Sequence, residues 1–234
     1  MSDEKGRSPA SWSEWITTGV LVAAAAAVVA THVAARVPSS STASSIPAPA
    51  EPVLLRGASE GASAAPVVVL EFSDFQCPYC GQFARRTLPA LRAKYVAAGK
   101  VRLVFEHFPL EAIHPLALGS AVLAECARRQ GTFWTVHDAL FANQPGLGGL
   151  VADPGTAFAL DGPALSACLG SGQATADVRE DAAAAKRLGV TGTPAFFIGT
   201  PLGPDRLQVH NVLVGAVTEA TLSKAIDSLV AKKH

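Results

Sequence analysis

Val67-Val68-Val69-Leu70-Glu71-Phe72-Ser73-Asp74-Phe75-Gln76-Cys77-Pro78-Tyr79-Cys80 runs from an apolar, β-rich stretch into two thiols one helical turn apart. The residues after it, from Gln82 onward, have helical character. A C-x-x-C at a strand-to-helix junction is the geometry of a redox dithiol. The first cysteine then sits where unpaired backbone N–H groups and the helix dipole favour a thiolate. The second lies close enough to attack a mixed disulfide and release the product. Pro78 suits the first turn, where its missing N–H costs nothing. The motif predicts a protein that makes or breaks disulfides. Two blander readings stand beside this one. A structural zinc site needs about four ligands, and only one such pair is present, so no metal is expected. Two unreactive core cysteines are the other alternative.

Working outward, Val53-Leu54-Leu55 reads as a short edge strand, followed by a Gly/Ser/Ala turn through Ala65. Pro66 to Phe72 is the strand leading into the dithiol. A helix is predicted from about Cys77 to Ala98, bent at Pro89 and ended by Gly99. Val101 to Glu106 alternates apolar and polar residues as a second core strand, giving β–α–β and a parallel pair. A helical insertion of about 114–188 follows, with helices at Leu116–Arg129, Phe133–Ala142, Gly162–Cys168 and Ala174–Leu188 and a loop-rich Gly146–Gly155. Ala195 to Ile198 and Val209 to Val214 read as a hairpin, and Thr218 to Lys232 as an amphipathic final helix. The fold class is α/β, and no internal repeat is present.

Upstream, residues 1–15 read as an N-terminal tail and 16–36 as a transmembrane anchor or signal segment. Ile16 to Ala35 has 20 residues without a formally charged side chain, which as a helix spans about 30 Å, the thickness of a hydrocarbon core. Trp12 and Trp15 precede it as interfacial anchors. A cleavable signal is the competing reading, through Val33-Ala34-Ala35. The tail mixes Lys5 and Arg7 with Asp3, Glu4 and Glu14, so a clearly basic leader is missing and an anchor is preferred. Residues 37–52, rich in Ser, Ala, Thr and Pro, form a tether that cannot bury enough surface to order itself. The catalytic part, residues 53–234, is expected in an oxidising space outside the membrane, on a single-pass anchor. A hydrophobic share of 49% suffices for a sizeable core, and a formal net charge of zero gives no reason to expect nucleic acid.

Gly192-Thr193-Pro194-Ala195-Phe196 opens the late strand, where a proline is tolerated. Together with Val69 to Cys80 and His107-Phe108-Pro109-Leu110, it resembles the DsbA-like thiol:disulfide oxidoreductases, in particular the membrane-anchored bacterial group with a thioredoxin fold and a helical insertion. The resemblance covers about Val53 to the C-terminus. It implies that Cys77 is the exposed nucleophile and Cys80 the buried resolving thiol. It implies that Pro194 is a cis-proline facing the disulfide, and that the Thr193 backbone pairs with an extended substrate. Glu71 matches a buried acid beneath the site that takes a proton from Cys80, against the alternative of a solvent-facing strand residue. Asp74 has a weaker match and serves at least to organise the turn. Pro78, Tyr79 and Thr193 tune the stability of the reduced form.

No cofactor beyond the Cys77–Cys80 disulfide is implied. The partners are reduced or misoxidised secreted proteins and a membrane redox protein that recycles the dithiol. A disulfide-forming oxidase is the preferred reading, with a reductase or isomerase as the alternative and, more remotely, a non-catalytic membrane-anchored peptide-binding holdase of the same fold. Cys126 and Cys168, in one helical subdomain of an extracytoplasmic protein, are expected to form a structural disulfide, the alternative being two buried thiols. His107 and His114 read as a strand end and a helix start rather than as catalytic bases. Phe75, Tyr79, Phe83 and Phe108 are candidates for an apolar surface around the dithiol.

Overall fold

The computed structural model describes residues 46–231. The expected tail and anchor lie outside the described residues, as does the tether before residue 46. Among the described residues no helix is long and apolar enough to cross a membrane.

The core of the sheet is β3 (Val67–Ser73), buried along its whole length. Six β-rich residues without a polar face suit a strand covered on both sides. It pairs in parallel with β4 (Val101–His107) and antiparallel with β5 (Ala195–Pro201). β5 forms the hairpin with β6 (Arg206–Val214). Two short strands complete the edges. β1 (Val53–Leu54) pairs with β6, and β2 (Ala58–Glu60) pairs with β4. The six-stranded order is β1-β6-β5-β3-β4-β2. One segment, 53–60, therefore straps the sheet from edge to edge. At Gly57 it lies so tightly on β4 that a Cβ would run into the Phe105 carbonyl. Strand β2 falls in what the sequence presents as a turn, because Ala-Ser-Glu lacks β-branched residues.

Alternation along β3 feeds two cores. Val67 and Val69 pack with Phe83, Leu88, Tyr95 and Ile226 on one side. Val68, Leu70 and Phe72 pack with Ala185, Val190 and Leu207 on the other. The expected polar face of β4 is absent: Arg102 and Glu106 are buried as well. The strap partners Glu106, the loop between β5 and β6 partners Arg102 through the Pro204 carbonyl (2.7 Å), and the insertion reaches the neighbouring His107 backbone. Arg56 N–H donates to Glu106 Oε1 (2.9 Å), and His107 N–H to Asp181 Oδ2 (3.1 Å).

After the dithiol, α1 (Pro78–Gln82) passes through a π turn (Phe83–Thr87) into α2 (Leu88–Leu91) and a second π turn (Arg92–Val96). The irregularity expected at Pro89 takes this form: Leu88 N–H reaches back five residues to the Phe83 carbonyl, just ahead of the proline that has no N–H to give. Gly99, at φ +66°, ends the run.

The insertion comprises α3 (Ala117–Arg129), α4 (Phe133–Ala142), α5 (Leu147–Ala152), α6 (Pro154–Phe158), α7 (Gly162–Ser171) and α8 (Gln173–Arg187). The stretch expected to be loop-rich holds α5 and α6, short helices whose glycines mask their pattern. Cys126 on α3 and Cys168 on α7 form a disulfide with Cα atoms 5.8 Å apart. The last helix, α9 (Glu219–Val230), is capped by the Thr218 hydroxyl, which accepts from Thr221 N–H. Ile46, within the expected tether, already packs against the core.

Candidate active site

The dithiol is positioned from the turn that precedes it. Asp74, at the end of β3, has a fully buried carboxylate. Its Oδ1 accepts from Gln76 N–H (2.7 Å). Its Oδ2 takes Leu110 N–H (2.8 Å) and lies 2.7 Å from His114 Nδ1. Gln76 in turn accepts from Leu116 N–H at 2.6 Å. Asp74 thus organises the turn and ties it to the 108–116 segment. Cys77 N–H donates to the Asp74 carbonyl, and Cys77 becomes the N-cap of α1, with Gly81 N–H closing onto its carbonyl.

Cys77 and Cys80 are both free thiols, and they experience opposite surroundings. Cys77 is lowered from 9 to about 6, first by hydrogen bonding from the Cys80 thiol, with burial opposing. The Thr193 side chain and the backbone N–H groups of Cys80 and Tyr79 add to the lowering. Cys80, fully buried, is pushed well above 9 by desolvation, then by Cys77 and Glu71. The Thr193–Pro194 peptide is cis. Its Thr193 carbonyl accepts from the Cys77 thiol at 3.4 Å. The loop is fixed from behind by Gly215 N–H on the Pro194 carbonyl.

Glu71 shares the side of β3 that carries Val67 and Val69, facing the helix that bears Cys80. It is 1% exposed, so the solvent-facing alternative falls away. Neither carboxylate oxygen has a hydrogen-bond partner. Burial raises it from 4.5 to about 8, and Ser73 and Arg92 offset only part of that. Burial corrects another expectation: Cys77 is only 4% exposed, rather than an open nucleophile. The cis-proline loop stands against its sulfur. Of the four aromatics expected around the dithiol, only Tyr79 is at the surface, 56% exposed. Phe75 is buried in the cluster of the insertion, and Phe83 and Phe108 in the two cores that flank β3.

His107 ends β4 inside a box of Phe75, Phe105 and Phe133, and burial pushes it down to about 3. His114 serves Asp74. Among the described residues no group of three or more His, Cys, Asp or Glu side chains could hold a metal ion.

Sequence reasoning missed Gln144, between α4 and α5. Its Nε2 donates to the carbonyls of both Phe75 and Cys77, each at 2.9 Å. Arg85 grips its Oε1 (3.1 Å) and the Phe141 carbonyl (2.6 Å). The one available signal was Gly81, a glycine inside a helix where alanine is worth about 1 kcal/mol more. A Cβ there would land on the Gln144 amide oxygen.

A thioredoxin-like sheet, a helical insertion and a dithiol at a helix N-terminus facing a cis-proline define a class, the DsbA-like thiol:disulfide oxidoreductases. Comparison with known proteins agrees. The profile of the family described as Thioredoxin matches residues 56–227. The structure superposes on Wolbachia pipientis alpha-DsbA1 with a TM-score of 0.63 at 25% identity, covering 74% of this chain and 90% of that one. Pseudomonas aeruginosa DsbA2 gives 0.58 at 30% identity, covering 73% and 92%. A Salinispora tropica protein named Na(+)/H(+) antiporter NhaA 3 is 39% identical over 141 residues, 59% of this chain but 21% of that protein. The chain thus spans about a fifth of the length of that relative. The chain belongs to the thioredoxin family, as a DsbA-like protein thiol:disulfide oxidoreductase.

Proposed function

We propose that the protein is a membrane-tethered, extracytoplasmic oxidase that donates the Cys77–Cys80 disulfide to secreted proteins. A substrate thiolate attacks the Cys77 sulfur, the Sγ–Sγ bond breaks, and Cys80 leaves carrying the electron pair. Glu71, raised to about 8 and so protonated at neutral pH, supplies the proton that Cys80 takes up. A second substrate thiolate attacks the substrate sulfur of the mixed disulfide, and Cys77 leaves as thiolate. The substrate has lost two electrons and the dithiol holds them until a membrane redox partner removes them. Thr193 and Pro194 present backbone to an extended substrate beside Cys77. Pro78 and Tyr79 set the shape of the turn between the thiols. Residues 16–36 serve as the anchor and the stretch from 37 up to Ile46 as the tether of the domain that extends to residue 234.

One observation carries the oxidase reading: Cys77 lies at about 6 while Cys80 lies well above 9. A thiol that is thiolate at neutral pH is a good leaving group and stabilises the reduced enzyme, which makes the disulfide oxidising. The same Glu71 would accept the Cys80 proton in the reverse direction, and this favours reductase or isomerase work as the second reading. Equilibration of the purified protein with glutathione separates them. A potential more oxidising than about −200 mV supports the oxidase, and one near about −270 mV assigns a reductase.

A further inference from the structure

Gln144 ties the helical insertion directly to the backbone of the turn that carries Cys77. Phe75 and Cys77 belong to the turn that carries the nucleophile, and the Cys77 carbonyl, which also accepts from Gly81 N–H, is part of the nucleophile's own backbone. Gln144 satisfies both carbonyls with the two hydrogens of one amide nitrogen. Its orientation is fixed by chemistry. Turned over, the amide would set its NH₂ against the Arg85 guanidinium and its oxygen against two carbonyls, so every contact would fail. Arg85 is exposed, yet it places a positive charge on the far side of the same amide and polarises it toward the two carbonyls. Gly81, buried in the first turn after Cys80, leaves the space the amide occupies.

We propose that Gln144, oriented by Arg85, is a positioning residue for Cys77, quenching the two flanking carbonyls and so favouring the thiolate of the nucleophile. This rests on the reading of Cys77 as the attacking and leaving thiol. Through it the insertion takes part in setting the reactivity of a dithiol carried by the sheet. Gln144 touches no reacting atom, and its effect passes through the backbone of Cys77.

The test follows the thiolate absorbance of the reduced protein as pH is raised, in Gln144→Met and, separately, in Gly81→Ala. The first removes both donors at nearly constant volume. The second leaves Gln144 in the chain, favours the helix, and displaces the amide sterically. Both are expected to raise the pH at which the first thiol ionises by about 1, a tenfold loss of thiolate below that pH. Both are also expected to slow mixed-disulfide formation in proportion to that loss. Gln144→Glu, which keeps the Arg85 contact but cannot donate, is expected to shift it at least as far. Either folded variant titrating like the native protein overturns the proposal, even if its melting temperature falls. A native protein whose first thiol ionises near 9 overturns the underlying reading of Cys77 instead, whatever the variants do.

Discussion

Cys77 and Cys80 stand one helical turn apart and remain thiols, whereas Cys126 and Cys168, 42 residues apart, are joined between α3 and α7. Both pairs lie in or against the same apolar cluster of the insertion. What separates them is the polar company each keeps. Cys77 meets a helix N-terminus, the Thr193 carbonyl and a second thiol, so its sulfur is held in polar surroundings. The Cys126–Cys168 pair meets apolar side chains and bridges two helices, so its bond serves only to restrict the unfolded chain. Reactivity in this molecule is a property of the turn around the sulfur.

The largest expected effect is the loss of that distinction on one side. Cys77→Ser is expected to abolish thiol exchange, read as oxidation of a reduced, unfolded substrate; residual turnover at Cys80 would break the comparison. On the other side, replacing Cys126 and Cys168 together by Ser is expected to leave exchange near the native rate. That variant should lose about 4 kcal/mol in guanidinium unfolding, from the entropy of a 42-residue loop. Asp74→Ala is next. It strands the Gln76 and Leu110 N–H donors and His114, and an expected cost of about 2–3 kcal/mol in the same assay would show how firmly the reactive turn is held.

A pH series sharpens the contrast further. Glu71 sits at about 8 in the fold against 4.5 when free, so between those values the folded chain holds a proton that the unfolded chain releases. Stability contributed by Glu71 is therefore lost as pH rises through that window. Glu106 (about 7) and Asp181 (about 8) act in the same direction, while His107 (about 3) opposes them below about 6.5. Melting temperature is expected to fall from pH 6.5 to 8 in the oxidised protein, and less steeply in Glu71→Gln. In the reduced protein Cys77, at about 6 against 9, adds stability as pH rises over that same range, so the fall should be shallower than in the oxidised form. The smallest effect expected is kinetic: Glu71→Gln should slow the step that protonates Cys80 by about tenfold at neutral pH, measured by stopped flow.

Much of this was legible in the chain. The boundaries of β3, β4 and α4 were readable to within about a residue, because long β-rich or amphipathic runs leave little choice. The position of the dithiol followed from the same junction. What stayed hidden depends on distant partners. Periodicity assigns no solvent side to Glu71 when both faces of β3 are covered, and the polar residues of β4 looked outward until the strap and α8 covered them. Gln144 reaches a carbonyl 67 positions earlier in the chain, a contact with no local signature. β2 was missed for the opposite reason: it is too short and too small in side chain to leave a pattern.

The strap has a consequence for how the molecule meets its neighbours. Both outermost strands of the sheet come from one stretch of chain, 53–60, and they are two and three residues long. The cover is uneven: β1 pairs with only Arg206 and Leu207 of the nine-residue β6, whereas on the β2 side the indole of Trp134 bonds the Ser59 carbonyl as well. One border of the sheet is thus largely shut, while along β6 most of the outer edge is left for an added strand.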